Sequence, residues 1–381
     1  MTAWLTGPGH GGPIAGDPAR VHLEGRLVRA AVEEARTQVA ELLGVRSRQV
    51  VFTSGGTEAV DAAVWAATRA APGRPVLCAP VEHSSVQEAS RRAAPVVDLP
   101  VDGLGRLEVD GVAEALTRSA AEVAGVGGAP AALVHCQWGN HEVGTLQPVA
   151  DVVGQCRRAG VLVHVDAAAA AGHVDLALGT LGADLVSISA HKLGGPPGVG
   201  ALVVRRGIRI EPFVVGGAQE RGRRGGMENV PGIVGFGAAA AALLGPSLGA
   251  EAAAARRGTD RLVELATAVG GVAQIGDPVG RLPHLVCLGV DGVEAEPVLI
   301  GLDRAGIAAH SGSACAAESL EPSPVLAAMG LDPSRSLRLS VGWSTTDADV
   351  AAFADAFPRV VAELRALGAE RAPGESPPGE G

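Results

Sequence analysis

The chain has 381 residues, of which 47% are hydrophobic and 19% are charged, as is typical of a folded globular protein of two or three domains. The formal net charge of -10 offers no net basic field for phosphates, so we do not expect a nucleic-acid-binding protein. The five cysteines are odd in number and include no Cys-x-x-Cys pair, which favours reduced thiols and predicts a cytoplasmic protein.

No membrane or export segment is predicted. The start of the chain lacks the basic flank and long apolar core of a signal peptide. Residues 229–250 carry no charge and are long enough for a membrane helix. Five glycines and two prolines interrupt this stretch, so we interpret it as a buried helix of a non-membrane protein.

The first 250 residues have the pattern of a large α/β domain. After a segment rich in glycine and proline, residues 1–15, an amphipathic helix is predicted over 20–43. Short apolar strands then alternate with alanine-rich helical stretches, which predicts a mostly parallel central sheet covered on both faces. Ligands of such sheets bind beyond the carboxyl ends of the strands. The predicted strands are 49–53, 76–79, 96–99, 132–136, 161–165, 185–189 and 200–204.

The pattern changes near residue 250. Helices are predicted over 252–269, 294–305 and 346–367, with strands over 285–290 and 336–341. We therefore predict a large domain over 1–250 and a smaller C-terminal α+β domain over 251–368. Residues 369–381 are rich in proline, glycine and glutamate and are predicted to be a disordered tail.

Lys192 is the first candidate for chemistry, because the chain contains thirty arginines and this one lysine. It follows an apolar strand and precedes a glycine-rich turn. Chance retention in an arginine-biased chain is one interpretation. We favour a chemical role, because a desolvated lysine can form a Schiff base with an aldehyde, whereas a guanidinium stays protonated. The aldehyde cofactor that fits is pyridoxal 5′-phosphate, whose ring is an electron sink.

A phosphate site is indicated by the turn Ser54-Gly55-Gly56-Thr57, which joins a strand to a helix. Glycines let backbone N–H groups approach an anion, and the helix presents its positive end. Gly56 and Thr57 are therefore candidate ligands, with Ser189 and His191 as further donors beside the lysine. A plain strand-to-helix turn remains the alternative.

Asp166 and His83 also follow predicted strands. A carboxylate at a buried strand end needs a partner. For Asp166 this is either a protonated pyridine nitrogen, which we favour, or a helix that it caps over the following alanines. His83 has the chemistry to stack on a ring and transfer protons, although a lone histidine is more often structural.

Cys315 lies in a loop of small residues, 310–320, where a thiolate could act as a nucleophile. The other four cysteines fall within predicted strands or a helix and are expected in the core. His135, Cys136 and His141 could suggest a metal site, but no fourth ligand is evident. We predict no metal.

Several motifs together resemble those of one family, the cysteine desulfurases on the NifS/IscS-like branch of the class-V aminotransferase superfamily. The resemblance extends over about residues 16–367. It rests on Phe-Thr-Ser-Gly-Gly-Thr-Glu at 52–58, Glu-His-Ser-Ser-Val at 82–86, Glu-Val-Gly-Thr-Leu-Gln-Pro at 142–148, His-Val-Asp-Ala at 164–167, the stretch 187–200, Gln-Glu-Arg-Gly at 219–222 and Ser-Gly-Ser-Ala-Cys at 311–315.

The resemblance implies a homodimer of the pyridoxal phosphate-dependent transferase fold type I, and it assigns roles by motif match. Lys192 would hold the cofactor, and Arg338 would bind the substrate carboxylate, for which a bidentate guanidinium is suited. The cofactor phosphate would be bound by Thr57, Ser189 and His191, its ring nitrogen by Asp166, and its ring face by His83.

The implied reaction converts L-cysteine to L-alanine. Lys192 would move the Cα proton, and the Cys315 thiolate would take the sulfur as a persulfide for an acceptor protein, an iron–sulfur scaffold or a thiolation carrier. Two alternatives remain. The chain could be another class-V enzyme, an aminotransferase or a selenocysteine lyase, or a non-catalytic paralogue that binds a sulfur carrier.

The chain departs from the family pattern near the cofactor. An asparagine expected beside the ring is His141, with Asn140 one place earlier. A glutamine that contacts the ring hydroxyl is Ala169, a threonine that reaches the partner subunit's phosphate is Met227, and the usual opening strand is missing. Each lost hydrogen bond is worth about 0.5–1.5 kcal/mol, so weaker cofactor retention or altered substrate choice is expected.

Overall fold

The computed structural model describes residues 4–5, 16–122, 128–311 and 322–371. The chain divides into two compact units. The first comprises Met1–His141 and Thr145–Ala252, and the second comprises Glu142–Gly144 and Ala253–Gly381.

The first unit contains a seven-stranded sheet in the order β1-β7-β6-β5-β4-β2-β3. Strands β3, β2, β4, β5 and β6 are mutually parallel, while β7 runs antiparallel to both of its neighbours. The prediction of an α/β fold with a mostly parallel sheet is confirmed, with β7 reversed. The strands are β1 (Val50–Thr53), β2 (Val76–Cys78), β3 (Val96–Asp98), β4 (Leu133–His135), β5 (Leu162–Asp166), β6 (Leu185–Ser189) and β7 (Gly200–Val204).

Helices of the first unit follow the apolar periodicity of the sequence. Helix α1 (Leu23–Leu42) buries Val28, Val32 and Val39 on one face, as its predicted amphipathicity requires. Those that follow along this unit are α2 (Gly56–Ala70), α3 (Ser84–Ala93), α4 (Val109–Glu122), α5 (Val149–Ala159), α6 (Leu178–Leu181), α7 (Gln219–Gly222) and α8 (Val230–Ala242).

The uncharged stretch 229–250 is two helices rather than the single buried helix predicted. Helix α8 buries Val230, Ile233 and Phe236 and ends before Gly245, whose φ of 68° favours glycine. Helix α9 (Pro246–Thr267) then begins at a proline, a favoured first helical residue. Among the described residues, no single helix has the length and hydropathy to cross a membrane; α8 and α9 meet both criteria only jointly, with a bend of 79° between them.

The second unit has a three-stranded antiparallel sheet in the order β10-β9-β8. Its strands are β8 (Val272–Ile275), β9 (Leu285–Val290) and β10 (Ser336–Ser340), and its helices include α10 (Ala295–Arg304), α11 (Pro324–Ala328) and α12 (Asp347–Arg371). The core packs Leu288, Leu337 and Phe357 together. Strand β8 was not predicted, because its four residues, Val-Ala-Gln-Ile, show no regular alternation of apolar and polar side chains.

Both predicted irregular ends are partly wrong. Trp4 and Leu5 are helical, and the remainder of residues 1–15 lies outside the described residues. At the other end, α12 continues to Arg371, so residues 369–371 of the predicted tail are helical. The Ala-Leu-Gly-Ala-Glu-Arg sequence that ends α12 contains mostly strong helix formers, which explains the extension. Residues 372–381 lie outside the described residues.

The contact between α1 and α8 requires a glycine. A Cβ atom at Gly237 would lie 2.6 Å from Ala35 Cα and 2.5 Å from Gln38 Oε1, both on α1. We expect Gly237→Ala to destabilise the fold by about 1–3 kcal/mol through overpacking. Gly249 is the matched control, because it is helical and a Cβ there would meet nothing within 4 Å. Urea unfolding should show Gly249→Ala unchanged or more stable; equal losses in both variants would contradict the close helix contact.

Candidate active site

The predicted site residues of the first unit follow strands that point the same way. His83 follows β2, His141 follows β4, Asp166 ends β5, and Lys192 follows β6. Strand β1 is antiparallel to β7, as is β6, so the turn after β1 lies at the same edge of the sheet. The fold therefore brings these residues to one edge, where parallel sheets bind ligands.

The turn after β1 has the features of a phosphate cradle. Helix α2 begins at Gly56, and no side chain caps it at Gly55. A Cβ atom on Gly200 would lie 2.7 Å from the Gly55 carbonyl carbon, so only glycine lets β7 pack against this turn. A Cβ atom on Gly56 would lie 3.5 Å from Ser189 Cβ, which places the turn against the end of β6. Backbone N–H groups with the Thr57 and Ser189 hydroxyls form a donor set that fits a phosphate.

Lys192 lies on a short turn whose backbone is fixed by a hydrogen bond and by close packing. After β6, Ala190–Leu193 form a 3₁₀ turn, and the exposed Lys192 accepts a hydrogen bond at its carbonyl from His173 Nε2 (2.9 Å). Gly172 has a φ of 83°, and a Cβ atom there would lie 2.5 Å from Leu193 Cβ.

The two candidate phosphate ligands beside the lysine contact each other, since His191 Nδ1 and Ser189 Oγ are 2.9 Å apart. Partial burial and then the charge of Lys192 lower the pKa of His191.

Asp166 is held by two donors at the end of β5. Its Oδ1 accepts from the Ala168 N–H (2.9 Å) and from Ser187 Oγ (3.1 Å). The following alanines form a turn and not a helix, so the helix-cap interpretation of Asp166 is wrong. The carboxylate is half-buried and oriented, as a partner for a protonated ring nitrogen must be.

His83 and His141 lie edge to face, with ring centroids 4.9 Å apart and an interplanar angle of 69°. His83 caps α3, because its Nδ1 accepts from the Ser85 N–H (3.1 Å), so the neutral ring carries its proton on Nε2. Asn140 is fully buried, and its Nδ2 donates to the Val81 carbonyl (3.1 Å). The scaffold thus uses part of the hydrogen-bonding capacity of both His83 and Asn140.

Behind this edge lies a histidine pair that the sequence did not identify. His135 and His164 are paired in register on β4 and β5 and are fully buried, with their Nδ1 atoms 2.8 Å apart. Ser90 Oγ donates to the Val86 carbonyl (2.7 Å) and so accepts from His135 Nε2 (3.1 Å). His135 Nδ1 must then accept from His164 Nδ1–H. The signal in the sequence was two histidines at matching ends of neighbouring strands.

An ion pair fixes the segment 219–222 behind the cradle. Arg36 and Glu220 are each 3% exposed, and both guanidinium NH₂ groups contact the carboxylate, at 2.6 and 2.7 Å. Glu220 also accepts from the Phe52 N–H (2.9 Å) in β1. Burial opposes the charge of Arg36, but the contacts with Glu220 outweigh it and raise the pKa. The backbone at Glu220 (φ 48°) and Arg221 (φ 59°) is left-handed and is held in place by this pair.

Residues of the second unit complete the predicted set. Arg338 lies on β10, and its backbone exchanges hydrogen bonds with His310, the N–H donating at 2.6 Å. Cys315 lies outside the described residues. The other cysteines, Cys78, Cys136, Cys156 and Cys287, are buried, and burial raises the pKa of Cys156 and Cys287 to about 12. Nowhere in residues 16–122, 128–311 or 322–371 do three potential metal ligands converge.

Residues 15–353 match the family model of the class-V aminotransferases, and the chain belongs to that family. The cysteine desulfurase of Cereibacter sphaeroides is 39% identical over 363 residues, covering 92% of this chain and 90% of that protein. A solved NifS-like protein superposes with a TM-score of 0.81 at 29% identity and covers 92% of both chains. SspA in complex with cysteine has a TM-score of 0.73 at 26% identity, over 88% of this chain and 93% of that one.

The Arg36–Glu220 pair can be tested against a partner of the same arginine. We expect Glu220→Ala to cost about 3–5 kcal/mol, because it leaves a buried guanidinium uncompensated. Glu33 also contacts Arg36 but is 45% exposed, so Glu33→Ala should cost less than about 1 kcal/mol. Urea denaturation measures both. Similar losses in the two variants would contradict a buried, structure-determining pair.

The histidine pair predicts acid sensitivity. Burial lowers the pKa of His164 from 6.5 to about 4, so the unfolded chain takes up a proton below pH 6.5 that the folded chain does not. The stability from this group is complete above pH 6.5 and is lost as pH falls through 4, a loss of about 3 kcal/mol.

Urea unfolding at several pH values should show that the free energy of unfolding falls less steeply with decreasing pH in His164→Gln than in the parent. His22→Asn is the control, because His22 is 57% exposed and asparagine also caps helices. If the free energy of unfolding fell as steeply with decreasing pH in His164→Gln as in the parent, a neutral buried His164 would be disproved.

Proposed function

We propose that the chain is a cysteine desulfurase that uses pyridoxal 5′-phosphate to convert L-cysteine to L-alanine. The observation that carries the proposal is the shared edge of the sheet. There, the chain's one lysine, a glycine-rich helix start and an oriented carboxylate follow strands that point the same way. The names of similar proteins support L-cysteine as the substrate, since one relative is named a cysteine desulfurase and one solved structure is that of SspA in complex with cysteine.

The residues present fit the cofactor. Lys192 would hold it, Gly56, Thr57, Ser189 and His191 would bind its phosphate, Asp166 would contact the ring nitrogen, and His83 and His141 would lie at the ring. When bound, pyridoxal phosphate supplies an electron sink that stabilises negative charge at Cα and weakens the Cβ–S bond.

Lys192 and Cys315 would perform the two chemical tasks. The amine of Lys192 would take the Cα proton, a role that a guanidinium cannot fill because it stays protonated. The Cys315 thiolate attacks the substrate sulfur, so that an S–S bond forms as the Cβ–S bond breaks. The carbon fragment is protonated and leaves as alanine, and the sulfur remains on Cys315 as a persulfide.

Two further residues would bind the substrate. Arg338 offers a guanidinium for the carboxylate of cysteine, a bidentate contact that holds the molecule in one orientation. Asn140 would contribute through its amide, part of which the Val81 carbonyl occupies.

Partners and organisation belong to the same proposal. We expect a homodimer of two-domain subunits, divided at about residues 250 and 251, which acts in the cytoplasm. The persulfide would pass to an acceptor protein, either an iron–sulfur scaffold or a thiolation carrier.

The test is a cysteine assay with mass spectrometry of Cys315. We expect alanine and sulfide from cysteine in the presence of a reductant, a trapped persulfide on Cys315, and loss of both in Cys315→Ala. Lys192→Arg should abolish turnover while keeping the positive charge. Cys156→Ala is the control, because Cys156 is buried within α5. Full turnover in Cys315→Ala, or amino transfer that depends on a keto acid, would contradict the proposal.

A further inference from the structure

Glu82 is a carboxyl group buried behind the candidate site. It lies between β2 and α3, immediately before His83, and is 2% exposed. Its Oε1 accepts a short hydrogen bond from the Gln137 N–H (2.6 Å). Its Oε2 is buried and has no hydrogen-bond partner in the part of the chain that the structure describes.

A second carboxyl group, that of Asp166, belongs to a residue held by the same segment, because the N–H of Trp138, next to Gln137, donates to the Asp166 carbonyl (2.7 Å). The two groups are solvated differently. Asp166 is half-buried and accepts two hydrogen bonds, whereas Glu82 is fully buried and accepts one. Because donors and solvent favour the charged form, one negative charge shared by this pair belongs on Asp166.

Among the described residues, the titratable groups on and next to β2, β4 and β5 that are named below do not supply a cation for Glu82. Cys78 and Cys136 interact with Glu82, and burial raises the pKa of both thiols. His164 is kept neutral because burial lowers its pKa to about 4, and burial likewise lowers the pKa of His135. His83 uses Nδ1 to cap its own helix.

We propose that Glu82 is a positioning residue that carries a proton at neutral pH, so that the negative charge of the carboxyl pair stays on Asp166. The protonation state follows from the contacts of this chain. Its significance for catalysis rests on the proposed function, in which Asp166 contacts the cofactor ring nitrogen. An ionised Glu82 would add a second, uncompensated negative charge to this pair.

The direction of the pKa agrees with this geometry. Burial first, and then the charge of Asp166, raise the pKa of Glu82 from 4.5 to about 8, against a smaller lowering by the Gln137 N–H. The folded chain therefore binds this proton more tightly than the unfolded chain. Its contribution to stability is complete below pH 4.5 and is lost as pH rises through 8.

The first test is infrared difference spectroscopy of the full-length protein across neutral and alkaline pH, which distinguishes a protonated carboxyl group from a carboxylate. We expect a protonated-carboxyl band that titrates with a midpoint near 8 and is absent in Glu82→Gln. Glu88→Gln is the matched control, because Glu88 lies on the adjacent helix and is 73% exposed; it should keep the band. Absence of the band at neutral pH, or its persistence in Glu82→Gln, would overturn the proposal.

The second test is Asp166→Asn, which keeps the shape of Asp166 and removes its charge. The midpoint of the Glu82 band should fall, and an unchanged midpoint would overturn the coupling between the two carboxyl groups. If Glu82→Gln does not fold, the Asp166→Asn variant still tests whether Glu82 carries the proton.

The third test is thermal unfolding of the parent and Glu82→Gln between pH 4.5 and 8. The melting temperature of Glu82→Gln should rise relative to that of the parent as pH increases, because the parent loses the contribution of its proton. A constant difference between the two would contradict a buried proton on Glu82. None of these measurements needs cysteine turnover, so their failure is distinguishable from failure of the desulfurase proposal.

Discussion

The contact on which the active-site edge depends is the buried ion pair between Arg36 and Glu220. Burying two charges costs several kcal/mol each, and only a bidentate geometry with further hydrogen bonds offsets that cost. Both requirements are met, because the carboxylate also accepts from Phe52 N–H and the guanidinium donates to the Val50 carbonyl. One interaction thus joins α1, β1 and the segment 219–222, and so fixes the strand that ends at the cradle.

A second pair extends this support to the cradle itself. Arg224 contacts both oxygens of Glu58 at 2.9 and 3.1 Å, and Glu58 accepts from the Ser54 N–H at 2.9 Å. Burial opposes the charge of Glu58, but the hydrogen bonds from Arg224 and Ser54 outweigh it and lower the pKa. Segment 219–224 therefore holds both β1 and the turn after it through carboxylate–guanidinium contacts. The glycines leave the backbone of this turn open to a ligand, and the ion pairs keep it in place.

Behind the same edge, the interior is polar but carries little charge. In the neutral histidine pair, His164 donates a hydrogen bond to His135, and His135 donates one to Ser90. Glu82 lies in the same buried layer, next to the end of β4. An unpaired charge is costly in an interior of low dielectric constant. A layer of neutral polar groups avoids this cost, and the charged groups of the site then lie where a ligand can reach them. In the proposed function, Asp166 is the carboxylate that would contact the ring nitrogen.

The sequence by itself determined most of the element types, the sheet class and the sheet edge at which the polar clusters meet, because periodicity and glycine turns are local properties. It also singled out Lys192, since its chemistry differs from that of thirty arginines. Only the tertiary structure decided the reversal of β7, the break before Pro246, and which buried groups contact one another. Those contacts join residues far apart in the chain, as Arg36 and Glu220 are, and depend on burial and geometry that no local pattern encodes.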